Sequence, residues 1–159
     1  MPRVVSVKSK RLAGVLLNIA GAEVEQANPI PGLWREIAAD DRRVELDALR
    51  CFRQKEDFGV HIVNDDGSVD YLIAVAVEAE DVVPDWFYEC HIPQGEYLAV
   101  ETTSVSLEDA WIKIVKRLDE KGYEVAGNTF FELYDNPDKR PDKAGDNAAF
   151  EVYVPIAKA

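Results

Sequence analysis

Residues 58–77 read FGVHIVNDDGSVDYLIAVAV. Two runs rich in β-branched and aromatic residues flank Asn64-Asp65-Asp66-Gly67-Ser68. Strand, tight turn and strand make a β-hairpin. Upstream, Leu33, Trp34, Ile37 and Ala38 have helical spacing, and Pro29 and Pro31 suit the start of that helix. The helix continues, or restarts after Asp40-Asp41, through Val44, Leu46 and Leu49. Before it, VVSVKSKRLAGVLLNIA (residues 4–20) mixes alternating and continuous apolar pieces and reads as one bent strand. The local order is strand, helix, hairpin.

Downstream the same order returns. WFYECHIPQGEYLAVETT (residues 86–103) reads as a long strand, with Pro93 to Gly95 as a bulge or bend. In residues 104–124, Leu107, Ala110, Trp111, Ile114, Val115 and Leu118 form one apolar helical stripe. Ser106 suits its N-cap, with Asp109 three residues on, and Gly122 ends it. NTFFELY (128–134) is the next strand, and AFEVYVPI (149–156) closes the chain. Between them DNPDKRPDKAGDN reads as a polar, mobile loop. Trp34-x-x-Ile37 and Trp111-x-x-Ile114 mark the two helices alike. The expected fold is α+β: a duplicated βαββ repeat forming an antiparallel sheet, with two helices packed on one face and a ligand groove between the repeats. The 159 residues suit a single domain, 1–159, with halves of about 1–80 and 81–159.

Acidic residues outnumber basic ones 30 to 18, giving a formal net charge of -12. Such a surface repels phosphate backbones, so direct nucleic-acid binding is not expected; a small cation is attracted. The cysteines Cys51 and Cys90 form no CxxC, which supports neither a disulfide framework nor a zinc site and suits the cytoplasm. Lys8, Lys10 and Arg11 before LAGVLLNIAGA imitate a signal peptide, but Asn18 interrupts that run and its pattern is a strand's. No apolar run approaches the ~20 residues of a membrane span. Gly-rich phosphate loops, GxSxG and HExxH do not occur, so no cofactor and no catalytic residue is assigned. His61 and His91 lack partners at metal-ligand spacing, and no metal is expected. Open edge strands point to a homodimer.

Six pieces resemble, in order, the gyrase-inhibitor-like (GyrI-like) effector-binding domain. They are IPGLW, FGVHIVNDDGSVDYLIAVAV, IPQGEYLAV, DAWIKIVKRLDEKGYE, FFELYDN and FEVYVPI, running from about residue 10 to 157. That domain also ends multidrug-sensing transcription regulators. The resemblance implies a ligand groove at the junction of two βαββ repeats. It also implies that the glutamate of the FFELY strand, Glu132, meets lipophilic cations. A helix-turn-helix has no room before the matched region, so a free-standing member is expected.

The chemistry of the residues agrees. In a strand, Phe130, Glu132 and Tyr134 point one way. With Tyr153 of the last strand, and Leu72, Ala74 and Ala76 of the first half, they are expected to line the groove. Trp34 and Trp111 edge it if they are not core, and Tyr71 belongs to the core. By the repeat, His61 falls near the position equivalent to Glu132, its register loosely fixed. A partly buried carboxylate among rings is a receptor for an apolar cation. The alternative for Glu132 is a solvent-facing strand position. Competing functions are a hydrolase of electrophilic small molecules, with Glu132 as general base, and a gyrase-inhibitor type of protein interaction.

Overall fold

The computed structural model describes residues 2–19, 30–50, 55–103, 106–144 and 149–158. The elements are β1 (Arg3–Val7), β2 (Lys10–Ile19), α1 (Ile30–Ala38), α2 (Asp41–Leu49), β3 (Asp57–Val63), β4 (Val69–Ala76), β5 (Tyr88–Ile92), β6 (Gly95–Thr102), α3 (Leu107–Lys121), β7 (Tyr123–Val125), β8 (Thr129–Tyr134), α4 (Pro141–Ala144) and β9 (Phe150–Lys158). The strands form one nine-stranded antiparallel sheet in the order β1-β6-β9-β8-β3-β4-β2-β5, with β7 pairing β9.

That order is a mirror. β6-β9-β8 of the second half meets β3-β4-β2 of the first at the β8–β3 seam. The outer strands are exchanged between halves: β1 pairs β6, and β5 pairs β2. The expected single bent strand is therefore two strands, broken at Lys8-Ser9, and its parts lie at opposite ends of the sheet. Residues 86–103 likewise hold two strands, and Pro93-Gln94 is a break rather than a bulge. The breaks fall together in space, since Val7 pairs Gly95 and Lys10 pairs Ile92. The sheet consequently curls toward a half-barrel.

The β3–β4 hairpin turns as its sequence requires. Gly67 has φ 86°, a left-handed conformation that costs glycine little. The Asp66 carboxylate accepts from the Ser68 backbone at 2.9 Å and fixes the turn.

Alternation gives the sheet two apolar faces. One packs under the helices, where Ala13, Tyr71, Ile73, Val152 and Val154 meet Trp34, Ile37 and Ile114. The other lies inside the curl, where Leu12, Phe58, Val60, Ile92, Tyr97 and Phe131 cluster. Each large apolar side chain so buried stabilises the fold by about 2 kcal/mol.

Residues 135–144 are not the loose loop that their polarity suggests. A 3₁₀ turn at Pro137–Lys139 leads into α4, which packs against α1. Arg140 is buried and pairs with Asp142 at 2.9 Å. Residues 145–147 of that stretch lie outside the described residues. Nearby, Asp57 is wholly buried at the start of β3. Arg43 of α2 donates to it at 2.5 Å and Arg50 at 2.9 Å, while Arg140 stands 4.0 Å away. These three arginines tie α2 and the 137–144 segment to the sheet beside Tyr134, the residue paired with Asp57.

Candidate functional site

At the β8–β3 seam Glu132 sits opposite Gly59, and across β9 it sits opposite Val152. Directly opposed residues of an antiparallel pair share a face. Glu132 therefore shares the helix-covered face with Val152, and it is only 2% exposed. Tyr71 and Tyr134 donate their hydroxyls to Oε1 at 2.8 and 2.7 Å. His61 Nε2 meets Oε2 at 2.5 Å. Trp34 Nε1 in turn donates to the Tyr71 hydroxyl at 2.8 Å. Burying a carboxylate is costly unless donors replace its water. Here two phenols and an imidazole do so.

The space for this arrangement comes from Gly59. A Cβ on Gly59 would stand 2.1 Å from the Tyr71 hydroxyl and 2.6 Å from Glu132 Oε1. Any other residue would push the phenol or the carboxylate out of place.

Rings surround the acid. His61 stacks on Phe130 at 4.4 Å, and Trp111 meets Phe130 edge-on at 4.9 Å. Trp34 packs edge-on against Tyr134 at 5.1 Å. Trp111 and Phe130 are only half-buried, so this column of rings runs from the surface down to the carboxylate.

Burial first, and then the negative charge of Glu132, hold both phenols well above the ordinary tyrosine range. They stay protonated and keep donating. The folded state thus retains protons that the unfolded chain sheds above about pH 10. Stability from this source is complete below that pH and is lost as pH rises further. In urea titrations the midpoint should hold between about pH 7 and 9 and drop above about pH 10. Tyr71→Phe should make the drop shallower. An equally steep drop in that variant would show that the buried phenol does not set the alkaline limit.

The structure brings together Glu132, Tyr134, Phe130, Trp34 and Trp111. It separates Tyr153, which faces the opposite side of the sheet and stacks on Phe131 at 4.8 Å. The reason is register: Tyr153 pairs Phe131, so Val152 takes the place beside Glu132. Leu72 and Ala74 also lie in the inner cluster, with Ala76 packed against it, away from Glu132. Glu132 itself lies under the helices and not on a helix-free face. Tyr71 is buried as expected, yet its hydroxyl belongs to the carboxylate network. His61, placed by the repeat only near the position equivalent to Glu132, contacts the carboxylate itself and completes that network. Among the described residues, no three His, Cys, Asp or Glu side chains converge as a metal site.

The chain also matches known proteins. The profile of the Cass2 family, integron-associated effector binding protein, covers residues 3–156. This chain belongs to the Cass2 family. Cass2 is a GyrI-like family, as the sequence pieces indicated. None of the curated proteins matches. Among solved structures, SAV2435 bound to tetraphenylphosphonium is 17% identical, with TM-score 0.72, covering 99% of this Cass2 chain and 94% of that one. A Staphylococcus aureus MU50 protein assigned to transcription regulation is 18% identical, with TM-score 0.69, covering 100% and 99%. An integron cassette protein of Vibrio cholerae is 13% identical, with TM-score 0.65, covering 98% and 95%. At these identities the likeness establishes the fold. No helix among the described residues of this Cass2 protein is long and apolar enough to cross a membrane.

Proposed function

We propose that this effector-binding protein takes bulky organic cations, with Glu132 as counter-charge and the ring column as the apolar wall. The observation that supports this reading is a buried carboxylate at the seam of the two halves, linked by ring contacts through His61 and Phe130 to the half-buried Trp111. A cation there gains direct pairing in a low-dielectric setting and ring faces worth roughly 0.5–2 kcal/mol each. The tetraphenylphosphonium held by the similarly folded SAV2435 has this chemistry: a single positive charge wrapped in aromatic groups.

Contact with Glu132 requires one capping group to move, because only 2% of the residue is exposed. His61 caps one oxygen from the side of the half-buried rings. Trp34 caps the network from α1 through Tyr71. The two tyrosines then hold the carboxylate in place while the cation replaces the His61 contact.

Calorimetric titration with tetraphenylphosphonium tests the reading. Binding of one cation per chain at roughly micromolar strength, about -8 kcal/mol, is expected. Neutral triphenylphosphine oxide offers similar rings without the charge and should bind far more weakly. Equal affinities would show that charge pairing plays no part.

A further inference from the structure

The second apolar face carries a feature that the cation reading leaves unused. At one end of the curl the inner cluster opens into a hollow of about 420 Å³. That volume falls within the range of small-molecule sites, ~300–1,000 Å³. Its floor is aromatic: Phe131 and Tyr153 lie parallel, 4° apart in plane, and Phe58 packs 6.0 Å from Phe131. Its rim is charged. Lys8 stands in the short connection between β1 and β2, and Lys10 begins β2.

Neither lysine joins an ion pair among the described residues. Two positive charges therefore stand at the mouth of an aromatic-floored hollow in a chain of net negative charge. Glu56 also lines the hollow, with its Oε2 buried away from the opening.

We propose that this hollow is a second binding site, for an aromatic anion. The acid group of such a ligand meets the Lys8 and Lys10 ammonium groups, and its ring lies among Phe58, Phe131 and Tyr153. The two sites use opposite faces of β8: Glu132 points to one, Phe131 and Leu133 to the other. One strand thereby serves two ligands of opposite charge.

The probe is 1-anilinonaphthalene-8-sulfonate, which has a sulfonate, fused rings and one N–H. With the folded chain, a fluorescence titration should saturate at one probe per chain. The double variant Lys8→Gln, Lys10→Gln should weaken binding at least tenfold, and Ala76→Phe, which fills the hollow, should abolish it. N-phenyl-1-naphthylamine, with the same rings and N–H but no sulfonate, should bind at least tenfold more weakly than the sulfonate. Tetraphenylphosphonium should leave the bound probe in place. Unchanged affinity in the lysine variant, or complete displacement by tetraphenylphosphonium, would overturn the proposal. Both lysines are on the rim, so their variant tests the site even if Ala76→Phe fails to fold.

Discussion

Glu132→Gln should weaken tetraphenylphosphonium binding about 100-fold, near 3 kcal/mol. Glutamine keeps the shape of the side chain. Its amide oxygen can still accept from Tyr71 and Tyr134, which hold Oε1 at 2.8 and 2.7 Å. What it lacks is the charge that compensates a cation for leaving water. Its amide nitrogen would face His61 Nε2, and the imidazole can answer by presenting an acceptor. Stability should consequently change by only about 1 kcal/mol. The pairing of the two measurements separates the roles. A carboxylate kept only for structure would lower the urea midpoint in the variant and leave the titration curve where it was.

Asp57→Ala is expected to cost about 3–5 kcal/mol of folding stability, the usual result of removing one partner from a buried charge cluster. Asp57 is wholly buried, and it accepts from Arg43 and Arg50 on one oxygen. The Arg43 side chain is 7% exposed, so without the aspartate it keeps only Asp47, on its own helix, as partner. Asp57→Asn retains one acceptor and should recover part of the loss. Chemical denaturation of the three proteins measures this directly. A loss below about 1 kcal/mol in the alanine variant would mean that the arginines turn out to water at little cost.

Local signals made part of this fold legible. Asn64 to Ser68 announced a hairpin because the turn chemistry lies within five consecutive residues. The stripe from Leu107 to Leu118 announced a helix for the same kind of reason. Partner choice between strands is not local, and there the reading failed. Nothing in Lys8-Ser9 tells that β1 leaves its neighbour β2 to pair β6. The face of Tyr153 depended on the β8–β9 register, and a shift of one residue turns a side chain to the other side of a sheet. Glu132 stood out as an acid between rings. Its partner Tyr71 did not, because the contact needs the registers of β4, β3 and β8 together. Residues 135–144 read as loose because polar composition conceals that Arg140 is buried among acids.

The exchange of outer strands also bears on how the chain comes off the ribosome. Arg3 to Val7 emerge long before their docking strip, Gly95 to Ala99. While translation proceeds, β3 and β4 can zip into their hairpin, since that pairing closes over a short turn. The leading strand must wait, its hydrogen-bonding groups unpaired, until the far half has been made. A nascent chain stalled before residue 95 would therefore display a sticky N-terminal strand, an invitation to chaperones or to a neighbouring copy.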